Sequence, residues 1–268
     1  MWRSKVKVWH IHIMFFVSLL ESNFKCKSLF QEIVYLSSTK STTNELWTYY
    51  NDNPKKYLVI TDNQTAGKGR GINSWFSVAH KSIACSFIIE QLFSIKKFNF
   101  HSLIIPLSII KGIKKYLSNN LKIKWPNDIM FENKKVAGIL IESKKISDKY
   151  ILNIGIGINI NENISDFNDE IKNSATSLKI IKGHNVQREP LLACILNELY
   201  HIIKNYSINQ IKNEWLNSCN HINKNINFKY NKKNISGNFL DISNNGQAIL
   251  EVESTEQLVN YDGEIKFS

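Results

Sequence analysis

The stretch that most limits what this chain can become runs from Leu103 to Ile160. From Leu103 to Leu117 the apolar residues Ile104, Leu107, Ile110, Ile113 and Leu117 recur at three- and four-residue steps, with Lys111, Lys114 and Lys115 between them. That spacing predicts an amphipathic helix. Leu121 to Trp125, Val136 to Glu142 and Tyr150 to Ile156 follow as short apolar segments with the pattern of β-strands. The first of them ends at Pro126, which has no amide to donate to a ladder. One helical stripe beside strands this apolar predicts an α/β layer.

The flanking sequence extends the same scheme. Ile33-Val34-Tyr35-Leu36 reads as a strand entering a Ser/Thr-rich turn that caps a helix starting near Asn44, and Tyr57 to Ile60 is a second strand. Gln64 to Asn73 is a glycine-bearing loop without apolar periodicity, and Ser82 to Glu90 resumes as a buried strand. Leu191, Leu192, Ile195, Leu196, Leu199 and Ile203 mark another amphipathic helix, and Trp215 closes a shorter one. After Cys219 the pattern changes to short strands with Asn/Gly turns: Phe228 to Tyr230, Gly237 to Ile242, Ala248 to Val252 and Gln257 to Val259. A length of 268 residues, 43% of them hydrophobic, suits one sizeable core plus a small module. The expected division is an N-terminal extension over 1–27, an α/β domain with a mixed sheet over 28–221 and a small β-barrel over 222–268.

The formal net charge of +11 would suit an acidic partner, yet the lysines are spread among abundant Asn and Ile. Pairs such as Lys55-Lys56, Lys114-Lys115 and Lys232-Lys233 read as solvated faces, so no nucleic acid is expected. Cys26, Cys85, Cys194 and Cys219 form no C-x-x-C pair and have no histidine at zinc-ligand spacing, which predicts reduced thiols and a cytoplasmic protein. His10 and His12 share one apolar stretch but lack a third ligand. Arg3, Lys5 and Lys7 before the run Val8 to Leu20 have the layout of a secretory signal, without a small-x-small cleavage site after it. The run is too short to span a bilayer, and an upstream extension with a start at Met14 also accounts for it.

Four polar segments carry chemistry. Gly67-Lys68-Gly69-Arg70-Gly71 brings backbone amides and two cations close to anionic oxygens. It matches neither the P-loop nor the dinucleotide glycine pattern, and alone it would be an ordinary surface loop. Lys124-Trp125-Pro126-Asn127-Asp128 puts Asn127 and Asp128 at a strand end or turn. Lys135 opens an apolar strand in which Gly138 allows close backbone approach, although a lysine at a strand start is usually just solvated. Gly155 and Gly157 in Gly-Ile-Gly-Ile-Asn-Ile-Asn remove side chains from a strand and leave room for a ligand.

In this order and at these separations the segments resemble the biotin protein ligases, from about Thr42 to Thr176-Ser177-Leu178, with residues 1–30 outside the resemblance. The resemblance implies that Thr42, Thr43, Asn44 and Gln64 contact biotin, and that Lys68, Gly69 and Arg70 fold over biotin and its adenylate. It implies that Gly138, Gly155 and Gly157 line the same pocket, and that Trp75, Asn127, Asp128 and Asn159 face the nucleotide, Asp128 beside its Mg2+. Lys135 is implied to contact the reacting carboxylate and phosphate oxygens, and Lys135 and Arg70 are the implied catalytic residues. Thr42 stands where Ser is common, Lys68 where many members have Arg, and Ile72 where glycine is frequent. Lys68 keeps the charge but not the forked donor geometry; Ile72 should stiffen the loop.

The implied fold is an α/β catalytic domain followed by an SH3-like barrel, and the implied substrates are biotin and MgATP. The implied partner is a biotin carboxyl carrier protein offering a lysine, the enzyme acting as a monomer or weak homodimer away from any membrane. A lipoate or octanoate transferase of the same fold and a bifunctional ligase-repressor are the alternatives. About forty residues precede Thr42 and include the first strand, so no winged three-helix DNA-binding module is expected within them.

Overall fold

The computed structural model describes residues 14–92, 100–116, 121–230, 233–243, 246–252, 255–259 and 264–266. His10, His12, Leu117, Lys232 and the run before Met14 lie outside them. In chain order the elements are α1 (Val17–Asn23), β1 (Glu32–Leu36), α2 (Thr42–Asp52), β2 (Tyr57–Thr61), β3 (Gly67–Lys68), β4 (Ser74–Trp75) and β5 (Ile83–Leu92). Then come α3 (His101–Lys114), β6 (Lys122–Lys124), β7 (Asp128–Phe131), β8 (Lys134–Ile146), β9 (Lys149–Ile158), α4 (Leu178–Lys182), α5 (Arg188–Asn205) and α6 (Ile208–Ser218). The last strands are β10 (Asn225–Tyr230), β11 (Lys233–Ile242), β12 (Ala248–Val252), β13 (Thr255–Val259) and β14 (Glu264–Lys266).

Seven strands form one sheet in the order β1-β2-β5-β9-β8-β7-β6. Only β1 and β2 pair in parallel; the other neighbours are antiparallel, so the sheet is mixed, in agreement with the sequence. One face carries Leu58, Ile60, Phe87, Ile154 and Ile156, packed with Ile105 and Ile109 of α3 and Leu192, Leu196 and Leu199 of α5. On the opposite face α2 sets Leu46, Trp47 and Tyr50 against Tyr57, Val59, Ile88 and Ile151. That helix covers β2, β5 and one end of β9. The remainder of this face, over β9, β8 and β7, is left for the cavity described below. No helix among the described residues is long and apolar enough to cross a membrane.

Residues 14–30 behave differently from the extension expected over 1–27. Val17 to Leu20 opens α1, which packs on α5, and Phe15, Leu20, Phe24 and Phe30 are buried in the main core. The Phe15 amide donates to the Asp62 carboxylate at 3.0 Å, and the Phe16 amide to Glu189 at 2.9 Å. The Arg188 guanidinium lies 5.6 Å from the centroid of the Phe15 ring. An apolar run beside basic residues looks the same in sequence whether it is a targeting segment or a core helix.

The second sheet has five antiparallel strands in the order β13-β12-β11-β10-β14, in the region where the resemblance implies the small barrel. It is joined to the larger sheet through Trp125, whose Nε1 donates to the Gly246 carbonyl at 3.2 Å and whose ring lies 5.5 Å from Phe228 and 6.5 Å from Phe239. Lys212 pairs with Asp241 at 2.7 Å across the same junction. His221 is buried there against Phe239, and burial, with Lys124 and Lys224 nearby, pushes its pKa down to about 3. Trp125→Ala should destabilise the chain by about 3–5 kcal/mol, because it opens a large cavity in a fully buried junction. Urea denaturation reads this as a fall in the midpoint.

Candidate functional site

The open part of the sheet is organised by register. Ala84, Gly157, Gly138 and Asp128 lie opposite one another across β5, β9, β8 and β7, and Ser86, Gly155 and Leu140 form the next row. Ile88, Asn153 and Glu142 form the row after that. Residues two apart on a strand share a face, so these rows are successive positions along one floor. Where glycine stands the floor drops. A Cβ on Gly157 would overlap the Trp75 indole, and one on Gly138 would lie 2.9 Å from it. The two glycines form a trough in which the indole rests.

Above this floor is a cavity of about 980 Å³. Its lining includes Thr42, Thr43, Gln64, Lys68, Gly69, Arg70, Trp75, Asn127, Asp128, Lys135, Gly138, Gly155 and Gly157. Four motifs far apart in sequence thus meet in one space. Asn44 and Asn159 are the exceptions. Asn44 is exposed on α2; Asn159 is buried, its amide nitrogen spent on the carbonyls of Thr176 at 3.0 Å and Lys135 at 3.4 Å. Its place in this fold is to brace the strand that carries Lys135.

One end of the cavity is neutral and polar. Gln64 Oε1 accepts from the Thr42 amide at 2.9 Å and from the Thr42 hydroxyl at 3.1 Å. Ser86 Oγ lies 2.8 Å from the Thr42 hydroxyl and 3.3 Å from that of Thr43, and Asn153 Nδ2 donates to the Thr43 carbonyl at 2.8 Å. Ser86 and Asn153 are fully buried on strands that read as merely apolar, and only the sheet register links them to the Thr-Thr turn. Trp47, one helical turn after Thr43, donates Nε1 to Glu142 Oε2 at 2.7 Å.

The other end is charged. Lys124 and Lys135 line it with a single carboxylate, Asp128, and the loop adds Lys68 and Arg70 to the lining of the same cavity, so its field favours anions. Lys135 Nζ lies 2.6 Å from Asp128 Oδ1 and 5.5 Å from the Trp75 ring centroid. Its backbone is clamped on both sides, the amide donating to the Ser174 carbonyl at 2.7 Å and the carbonyl accepting from the Thr176 amide at 3.0 Å. Asn127 Nδ2 donates to the Ile139 carbonyl at 2.8 Å, tying the Pro126 turn to β8. The loop over the cavity is not wholly irregular, since β3 and β4 pair Gly67 with Trp75 and Lys68 with Ser74. Two-residue strands leave no periodicity to read. Ile72 is fully exposed at the loop tip.

Both ends of the loop are held at a buried polar cluster. The His80 amide donates to the Asp62 carbonyl at 2.9 Å, and Arg188 reaches Asp62 at 2.8 Å and the Ser82 carbonyl at 3.2 Å. Burial alone would raise the Asp62 carboxyl, but the Tyr35 hydroxyl, the Phe15 amide and Arg188 together hold it below its ordinary value. Glu162 shows the opposite balance. It is fully buried with Ser82 Oγ at 2.5 Å, and burial, only partly offset by that hydrogen bond, pushes its pKa up to about 7. An acid whose pKa is raised by folding binds its proton more tightly in the folded state, so its contribution weakens as pH climbs from about 4.5 to about 7. Glu162→Gln should therefore raise the melting midpoint at pH 8, by up to roughly 3 kcal/mol of stability, and change it little at pH 5. Equal shifts at both pH values would contradict this reading of Glu162.

Residues 35–159 match the model of the biotin/lipoate A/B protein ligase family. The chain is 31% identical over 256 residues to the bifunctional ligase/repressor BirA of Bacillus subtilis, covering 92% of this chain and 78% of the relative. It is 25% identical over 146 residues to the biotin–[acetyl-CoA-carboxylase] ligase of Mycobacterium tuberculosis, 53% of this chain and 52% of that one. The structure of the Aquifex aeolicus biotin protein ligase in complex with biotin and ATP superposes with a TM-score of 0.76 at 25% identity, covering 89% of this chain and 100% of the other. With the sheet order, the cavity and the motifs that line it, these matches establish that the chain belongs to the biotin/lipoate A/B protein ligase family and, within it, to the biotin protein ligases.

Proposed function

We infer that the chain joins biotin to ATP as biotinyl-5'-AMP and then transfers the biotinyl group to a lysine of a biotin carboxyl carrier domain. The observation that carries this reading is the polarity of the cavity above the glycine floor. A neutral hydrogen-bonding end, built on Thr42, Thr43, Gln64 and Ser86, suits a small uncharged polar ring. A cationic end, built on Lys135 and Lys124 beside Asp128, suits a carboxylate meeting a phosphate. In the first half-reaction a carboxylate oxygen attacks the α-phosphorus and the bond to the β-phosphate oxygen breaks, releasing pyrophosphate. In the second, the carrier amine attacks the acyl carbon, AMP leaves and a proton is lost.

Both halves build charge on oxygen, and fixed cations in a partly enclosed site stabilise it. The clamped backbone of Lys135 supplies that preorganisation. Mg2+ would enter with ATP, since one carboxylate plus substrate phosphates is its usual setting, and Asp128 is the carboxylate on offer. Among the described residues no group of three or more His, Cys, Asp or Glu side chains could cage a metal ion. The test is incubation with biotin, MgATP and a carboxyl-carrier fragment, followed by mass measurement of the carrier. A biotinyl adduct on one lysine is expected; incorporation of lipoate in preference to biotin would overturn the assignment.

A further inference from the structure

We propose that Glu142 is a positioning residue for the glycine loop, setting the place of Lys68 over the cavity from the row beyond the ligand floor. This rests on the ligase reading above and adds a residue to it.

Three observations converge on Glu142. First, its carboxylate is aimed, because Trp47 Nε1 donates to Oε2 at 2.7 Å and Trp47 is itself packed between α2 and the sheet. Second, the other oxygen, Oε1, lies 3.8 Å from Lys68 Nζ, which links β8 directly to β3 of the loop. Third, Glu142 is paired across the strands with Asn153, whose amide holds the Thr43 carbonyl at 2.8 Å. The same row therefore fixes both the first turn of α2 and the loop lysine. An ammonium has three donors, and a contact of 3.8 Å is too long to be a hydrogen bond. The pair orients Lys68 without consuming the donors that an anionic ligand would take.

Glu142→Gln keeps an acceptor for Trp47 and removes only the charge. A partly exposed ion pair of this length bounds the effect. The KM for biotin should rise about three- to fivefold, and bound biotinyl-adenylate should dissociate faster by a similar factor. The saturating rate of biotin-dependent pyrophosphate exchange should change by less than about twofold, since ground state and transition state lose the contact alike. Trp47→Phe, which loses the donor but keeps the ring packing, should shift KM in the same direction by less. In a Lys68→Met background the Glu142→Gln effect should vanish, as it must if it acts through that lysine.

An unchanged KM in a folded Glu142→Gln protein overturns the proposal. So does a KM effect that persists in the Lys68→Met background, or a fall in the saturating rate as large as that in kcat/KM. A wild-type chain that forms no biotinyl-adenylate would overturn the ligase reading itself, and the proposal with it.

Discussion

Replacing Lys135 with methionine is expected to slow biotin-dependent exchange of labelled pyrophosphate into ATP by about a hundredfold or more while the chain remains folded. Lys135 is the proposed bridge between two anions brought together, and their mutual repulsion must be offset at the moment of attack. The structure gives the side chain little else to do. Its ammonium meets the Asp128 carboxylate at 2.6 Å beside the Trp75 ring, and hydrogen bonds to Ser174 and Thr176 fix its backbone. Methionine preserves most of the stem. It leaves Asp128 without its ion pair, a loss of about 1–2 kcal/mol at a site open to solvent on one side. The exchange assay isolates the first half-reaction and needs no carrier. A solvated lysine at a strand start would tolerate the change, so near wild-type exchange in a folded variant removes Lys135 from the proposed chemistry.

Removing residues 1–27 is expected to leave a chain that does not fold stably, whereas a chain beginning at Met14 keeps every contact described above. The longer truncation takes Phe15, Leu20 and Phe24 from the core. Buried side chains of this size contribute about 1.5–3 kcal/mol each. It also takes the amide donor at 3.0 Å from the Asp62 carboxylate and the ring beneath Arg188. Together these losses rival the whole stability margin of an ordinary domain, about 5–15 kcal/mol. Urea midpoints of the two truncated chains beside the full-length protein measure the difference. A chain starting at Ser28 with an unchanged midpoint would show that α1 is dispensable.

What was legible in the sequence follows from how each feature is encoded. Long helices such as α3 and α5 announce themselves because apolar spacing is repeated over ten or more residues, whereas for β8 and β9 only the apolar stretches, 136–142 and 150–156, could be read and the strands extend beyond them. The motif residues could be named because glycine, proline and charge are unusual inside apolar strands. Three kinds of information were not local. The floor residues Ser86 and Asn153 acquire meaning only when β5 and β9 are set in register with α2 above them. Asn159 sits within a motif yet turns its amide to the backbone of Lys135 and Thr176, a choice its neighbours in sequence do not record. Short elements such as β3, β4, β7 and α4 have too few residues for any period to show.

Trp125 lies near the middle of the chain, yet its ring and Nε1 find their partners at Phe228, Phe239 and Gly246. During synthesis the large sheet can assemble well before these partners exist. The wall that Trp125 contributes to the cavity is finished only when the last fifth of the polypeptide has been made and has docked. A nascent chain therefore contains most of its ligand-facing groups before it contains the residues that hold Trp125 in place.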